Sequence, residues 1–220
     1  MIYKSILISL LMLVCVSPTL AQERLVFLGN SITWHAPNLS IGWNRNWGMA
    51  ASRQEKDYVH QLAELISKNS GPAVVYPRNI SFMEDHTRLF DVEKIDFMAT
   101  FNPTIVVVFL GDNRKNVEGS GEVFSNRYLA ILSKVRKDTN ARIYCVTTWW
   151  NIKATDKLIH KICNQSLASI VDISGINSIP GARADTVEKH ENMGVASHPS
   201  DFGMELIANR IFEKITSSND

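Results

Sequence analysis

Leu25-Val26-Phe27-Leu28-Gly29-Asn30-Ser31-Ile32-Thr33-Trp34 is the stretch on which the reading of this chain turns. Four apolar residues form a short buried strand that runs directly into a Gly-Asn-Ser turn. The turn places a hydroxyl at the carboxyl end of the strand. In an open α/β sheet ligands bind at that edge, which makes Ser31 the first candidate for chemistry. Gly-Asn-Ser is also ordinary turn chemistry, so its weight depends on what the remaining segments bring to the same edge.

Residues 1–21 stand apart from the fold. Lys4 supplies a positive start, Ile6 to Val16 is an apolar run, and Thr19-Leu20-Ala21 offers small residues at a cleavage site. This is the pattern of a signal peptide cut before Gln22, with the protein secreted or periplasmic. The run is too short to span a bilayer. Val14 occupies the position where a lipoprotein signal before Cys15 requires a small residue, which argues against lipid anchoring. Removing 21 of the 220 residues leaves 199, enough for one domain over 22–220. Without Lys4, 22 of the 23 basic residues remain against 22 acidic ones, none of which lies in the leader, so the mature chain is neutral. Neither a basic stripe for nucleic acid nor a polybasic cluster for anionic lipid is present. Cys145 and Cys163 read as buried small hydrophobes, although an oxidising compartment would let them pair.

Five apolar runs bounded by turn signals recur: Leu25 to Leu28, Ala73 to Tyr76, Thr104 to Leu110, Arg142 to Thr148 and Ile170 to Ile173. They are short, continuous and rich in Val and Ile, as parallel strands buried on both faces are. Helical patterns separate them. Ser52-Arg53-Gln54-Glu55 reads as a capping box opening a helix with Val59, Leu62 and Ile66 on one face, closed by Asn69-Ser70-Gly71. Phe124, Tyr128, Ile131 and Val135 repeat at helical spacing, Leu158, Ile162 and Leu167 less cleanly. Met204, Ile207, Ile211 and Ile215 line a last helix from about Asp201, capped by Ser200 and Asp201. Alternating strand and helix predict a single three-layer α/β/α domain with a parallel five-stranded sheet. Two long loops, 34–51 and 174–197, interrupt the alternation, and loops of that length are functional or disordered.

Three later segments answer Ser31. Trp47-Gly48-Met49 offers a glycine N–H ahead of a helix, Gly111-Asp112-Asn113 follows the third strand with a side-chain amide, and His198-Pro199 precedes the last helix. Acyl transfer needs a nucleophile, a base and donors aimed at the oxygen that becomes negative. Ser31 and His198 are the expected catalytic pair; Ser31, Gly48 and Asn113 are the expected oxyanion hole.

This set, in this order, resembles the SGNH hydrolases, a branch of the GDSL esterase and lipase family. Gly29-Asn30-Ser31-Ile32-Thr33 is similar to the family's first block with Asn where Asp is commoner, Gly48 to the second-block glycine, Gly111-Asp112-Asn113 to the third-block Gly-x-Asn, and His198-Pro199 to the fifth-block histidine. The resemblance spans about residues 24 to 212. It implies a flavodoxin-like sheet, no metal or other cofactor, and ester hydrolysis through an acyl-enzyme. The Gly-x-Ser-x-Gly elbow of α/β-hydrolases is absent. One departure stands out: the family's Asp-x-x-His places an orienting Asp three residues before the histidine, where this chain has Val195. Three arrangements answer this departure: a backbone carbonyl in a Ser-His dyad, Glu191 or Asp185 reaching in from the preceding loop, or a protein that binds ligands without turning them over.

Aromatics gather near the same edge. Trp34, Trp47 and Trp149, with Asn30, are the expected substrate-binding residues, because indoles beside amides suit the faces and hydroxyl rims of a sugar. Packing under a long loop accounts equally well for Trp47 and Trp150. An acylated, most simply acetylated, carbohydrate is the preferred substrate. The rivals are a lysophospholipase or thioesterase of the same fold, and a non-catalytic carbohydrate-binding protein motivated by Val195. His35, His60, His86, His160 and His190 show no metal-ligand spacing. Asp112 and Arg114 either touch substrate or form a structural ion pair.

Overall fold

The computed structural model describes residues 22–187 and 191–217; the expected signal peptide, 1–21, and His190 lie outside them. Five strands, β1 (Glu23–Gly29), β2 (Ala73–Asn79), β3 (Ile105–Phe109), β4 (Arg142–Val146) and β5 (Ser169–Val171), form one sheet in the order β2-β1-β3-β4-β5. All neighbouring pairs are parallel. Among the described residues six α-helices accompany them: α1 (Tyr58–Ser70), α2 (Phe97–Phe101), α3 (Ser120–Asp138), α4 (Lys153–Gln165), α5 (Met193–Ala196) and α6 (Asp201–Ser217).

Successive residues of β1 serve opposite faces, which explains why its apolar run does not alternate with polar residues. Leu25 and Phe27 pack with Tyr58, Val59, Leu62 and Ile66 of α1 and with Met204, Ile207 and Ile211 of α6. Val26 and Leu28 pack with Met98 of α2, with Phe124, Tyr128 and Ile131 of α3, and with Ile159 and Ile162 of α4. The three layers expected from the alternation of elements are therefore present, with α1 and α6 on one face and α2, α3 and α4 on the other.

The chain leaves β1 for β2 on one side and returns to β3 on the other, so the order in which strands are added reverses between β1 and β3. Gly29 is paired with Phe109 across that junction. The turns that follow, starting at Asn30 and Leu110, emerge side by side, which is where open α/β sheets hold ligands.

Three local expectations are corrected. Ser52 does not cap α1: residues Gln54–Lys56 form a 3-10 turn, and Asp57 is the N-cap, its carboxylate accepting from the His60 N–H at 2.9 Å. Ser52 instead donates its N–H and hydroxyl to the Asp201 carboxylate, at 2.8 and 2.5 Å. Capping of α6 therefore falls to Ser200, whose hydroxyl accepts from the Gly203 N–H at 3.1 Å. Leu167 is exposed, and Ile159 and Cys163 take the inward positions of α4 beside Ile162.

The two long loops are packed against each other. Trp43, Met49 and Ala50 of the first form a small second core with Ala184 and Val195 of the second. Trp43 and Trp47 meet edge to face at 6.2 Å, with the Arg45 guanidinium against both rings. This satellite core carries the segment that leads to His198.

Candidate active site

Ser31 sits in a turn built by Asn30. The Asn30 side-chain oxygen accepts the Ile32 N–H at 3.0 Å, and its backbone carbonyl accepts from Thr33 and Trp34, each at 3.1 Å. Gly29 is required just before this turn, because a Cβ there would strike the Thr33 side chain and the Phe109 carbonyl. Thr33 is held from below by a 2.7 Å hydrogen bond to the buried Tyr58 hydroxyl.

His198 arrives from the opposite side of the site. Asn192 caps α5, its side-chain oxygen accepting from the N–H groups of Gly194 and Val195 at 2.8 and 3.3 Å. The His198 N–H continues that turn to the Val195 carbonyl at 3.1 Å, and its own carbonyl accepts from Ala184 at 3.0 Å. The imidazole Nε2 lies 2.7 Å from Ser31 Oγ, and Nδ1 lies 2.7 Å from the Gly194 carbonyl oxygen. A carbonyl only accepts, so the proton belongs on Nδ1. Nε2 is then free to accept from the serine hydroxyl.

The vacancy left by Val195 is thus filled by a main-chain carbonyl. Asp185 is engaged with the Arg183 guanidinium, its Oδ1 accepting from Nε at 3.1 Å, and Glu191 is exposed. Neither acid orients the ring. Val195 itself is buried in the satellite core, facing Trp43 and Ala184. Burial pushes the His198 pKa down to about 4; the Gly194 hydrogen bond opposes that shift only in part.

Gly111 opens the third segment with φ at +123°, a backbone conformation that L side chains rarely adopt. It swings Asn113 outward, and the Asn113 amide donates to Glu84 Oε2 at 2.6 Å. Among the described residues the Ser31 N–H has no acceptor. The Gly48 N–H differs from expectation: it donates to the buried Asp57 carboxylate at 3.3 Å. Gly48 has no room for a Cβ because the Ile32 carbonyl and Asp57 press against it, so its visible role is to let the first loop close on the back of the nucleophile turn.

No family model matches the chain, and none of the curated proteins matches it. Solved structures do. The psychrotrophic esterase EstA from Pseudoalteromonas sp., in a form inhibited by monoethylphosphonate, superposes over 90% of this chain and 100% of its own, with a TM-score of 0.60 and 14% identity. An acetyl xylan esterase, AlAXEase, covers 86% of this chain and 98% of its own, with a TM-score of 0.55 and 15% identity. A two-domain esterase active on acetylated mannans, co-crystallised with mannopentaose, matches 90% of this chain with 50% of its own, at a TM-score of 0.60 and 16% identity. The fold is that of the SGNH hydrolases.

Within this SGNH fold the floor of the site is acidic. Asp112 is buried; its carboxylate accepts from Asn30 Nδ2 and from the Trp150 N–H, both at 3.2 Å. Glu84 is buried beside it and takes the N–H of Gly111 as well as the Asn113 amide. Burial, and then the neighbouring Glu84 charge, push the Asp112 pKa up to about 8. Burial raises that of Glu84 too, but the N–H groups of the 111–113 turn and the Asn30 amide favour its charged form. Both carboxyls are thus held above the usual carboxylate range. The Asn30 amide serves both neighbours at once, donating to Asp112 and accepting from the Ile32 N–H.

Several expected contacts are redistributed. Trp149, expected to bind substrate, is instead buried, and its Nε1 donates to the Ser197 carbonyl at 3.0 Å, tying the end of β4 to the residue before His198. Asn30 is likewise buried and fully engaged. Trp47 is partly buried, with its Nε1 donated to the Ala51 carbonyl at 2.8 Å. Trp34 is half-buried next to the nucleophile turn. Trp150 stands edge-on to the His198 ring, 5.3 Å between centroids at 89°. Arg114 and Asp112 form no ion pair; Arg114 is buried and donates to Thr155 and Ser120 hydroxyls, each at 2.9 Å.

A backbone carbonyl was among the arrangements expected to orient His198, and Gly194 supplies it; which carbonyl it would be, and the contact of Glu84 with Asn113, were beyond the sequence reading. A carbonyl carries no residue-type signal at all. Glu84 sits in a short 3-10 turn without hydrophobic periodicity, and only its isolation within Phe82-Met83-Glu84 hinted at burial. Cys145 and Cys163 are buried free thiols, as read from the sequence. Among the described residues no group of three or more metal-ligating side chains comes together, and no helix is long and apolar enough to cross a membrane.

Proposed function

We propose that this chain is a serine ester hydrolase that removes small acyl groups, acetyl in the first instance, from a carbohydrate. The observation that carries the reading is the continuous line from Ser31 Oγ through the His198 ring to the Gly194 carbonyl, with both hydrogen bonds at 2.7 Å. Ser31 Oγ attacks the ester carbonyl carbon while its proton passes to Nε2. The Ser31 N–H and the Asn113 amide meet the oxyanion. The bond to the alcohol breaks as Nε2 returns the proton to the departing oxygen, leaving the acyl group on Ser31. Water then attacks that ester, its proton passing through the same nitrogen, and releases the acid with Ser31 restored.

A neutral dyad of this kind leaves the imidazolium without a carboxylate, the partner whose disruption costs about ten-thousandfold in the serine-protease template. Turnover is expected below that of a triad enzyme. The sugar assignment is supported by the half-buried Trp34, three residues after Ser31, and Trp150, edge-on to the His198 ring, and by two structural neighbours, an acetyl xylan esterase and an esterase active on acetylated mannans.

Hydrolysis of p-nitrophenyl acetate and octanoate by wild type, Ser31→Ala and His198→Ala tests the reading. Acetate hydrolysis that both variants lose supports it; equal activity in all three ends it. Preference for octanoate would instead favour a lysophospholipase or thioesterase. Oligosaccharide binding with no labelling of Ser31 by a fluorophosphonate would favour a binding protein.

A further inference from the structure

We infer that Glu84 is a positioning residue that presents the Asn113 amide to the reacting oxygen, an inference that rests on the esterase reading above. Asn113 is exposed and lies on a turn begun by a glycine with positive φ. A side chain so placed has little packing to hold its amide plane. The Glu84 carboxyl supplies that restraint. One of its oxygens takes the Asn113 amide at 2.6 Å, and the other takes the Gly111 N–H of the same turn. A primary amide carries two N–H bonds, and the carboxylate uses one. The amide cannot flip without setting its oxygen against a carboxylate oxygen, so the nitrogen is held in place and its second N–H is left to donate outward. Pre-orienting a donor before charge develops is what gives an oxyanion hole its effect.

Glu84 touches no reacting atom in this scheme. It is also separate from the Ser31-His198-Gly194 line and enters from the turn after β2, at the far side of the β1-β3 junction. The buried position of Glu84, at 1% exposure, is costly for a carboxylate unless its donors are satisfied, and the 111–113 turn satisfies them.

The tether is read first without substrate. In ¹⁵N-edited spectra of the wild-type protein, one proton of the Asn113 side-chain amide is expected downfield and slow to exchange, and the other ordinary. Two equivalent, fast-exchanging protons would overturn the inference, whatever the protein hydrolyses. Kinetics then test its consequence in Glu84→Gln, Asn113→Ala and the double variant. Glu84→Gln is expected to lower kcat on p-nitrophenyl acetate by about tenfold or more with KM within about twofold, below the roughly hundredfold or greater loss of a whole oxyanion donor. In the Asn113→Ala background the same change is expected to do nothing further to kcat. Equal losses in both backgrounds would mark Glu84 as merely structural and refute the proposal. If Glu84→Gln does not fold, the wild-type amide spectrum decides. Absence of Ser31-dependent hydrolysis with the tethered amide intact would refute the esterase reading and leave the Glu84 contact standing.

Discussion

Nδ1 of His198 lies 2.7 Å from the carbonyl oxygen of Gly194, four residues earlier in its own chain. The base is therefore oriented by the turn that carries it and, among the described residues, by no acid. Its ring is buried, at 6% exposure, with a neutral partner on each side. A cation there has little to stabilise it.

The first expectation concerns protonation. With the folded-state pKa lowered to about 4 from the usual 6.5, the unfolded chain takes up a proton on this residue before the native one does. Stability from this group is complete above about pH 6.5 and is lost as pH falls toward 4. Ring ¹⁵N shifts of His198 should show the Nδ1–H tautomer down to about pH 4. Titration near 6.5 would mean that the ring is hydrated or that an acid reaches it.

Restoring the family's acid should not restore a triad. Val195 faces the satellite core of Trp43, Met49 and Ala184, and the carbonyl of Gly194 already occupies Nδ1. Val195→Asp therefore buries a carboxylate among apolar groups, with an expected loss of about 2–4 kcal/mol. Thermal unfolding of the variant checks this. A Tm equal to wild type together with faster turnover would show that the loop rearranges to bring the acid to the ring.

Asp112 gives a pH dependence of opposite sign. Its pKa is raised from 3.8 to about 8, so the native state holds a proton that the unfolded state releases. Stability from this group is complete below about pH 4 and is lost as pH rises through 8. Asp112→Asn removes the titration, and the fall in Tm between pH 5 and pH 9 should become shallower than in wild type. An unchanged slope would show that Asp112 does not titrate in this range.

Gly111→Ala should cost about 1–3 kcal/mol, because φ at +123° strains any L side chain and the new methyl meets the Thr155 and Thr148 side chains. The same change displaces Asn113, so kcat for ester hydrolysis should fall more than KM rises. Full activity at reduced Tm would separate the turn's stability from its chemistry.

Trp149→Phe removes the donor that holds the Ser197 carbonyl, an expected loss of about 1–3 kcal/mol from the unpaired acceptor and the lost volume. Because Ser197 precedes His198, turnover should decline with stability. Trp150→Phe, which keeps an aromatic ring beside His198, should leave the Tm closer to wild type. Chemical denaturation and p-nitrophenyl acetate hydrolysis on both variants distinguish a buried strut from a wall of the site.

Hydrophobic order along the chain was sufficient for the fold. Five continuous Val- and Ile-rich runs separated by helical periodicities leave few arrangements other than a parallel sheet covered on both faces, since each run must bury two sides. Ser31, Asn113 and His198 were legible for a related reason: they sit where strands end or a helix begins, and such positions carry turn and cap residues with recognisable spacing. The partners of those residues were not legible. A backbone carbonyl was anticipated for His198, but that it is Gly194's, that Glu84 lies beneath Asn113 and that the Gly48 N–H turns toward Asp57 depend on which groups meet after the loops at 34–51 and 174–197 pack on each other. Local sequence determines which residues stand at the sheet edge, because propensity and periodicity act over a few neighbours. What each of them bonds to is decided by contacts between segments up to 167 positions apart, and hydrogen-bond partnership at that separation exists only once the chain has folded.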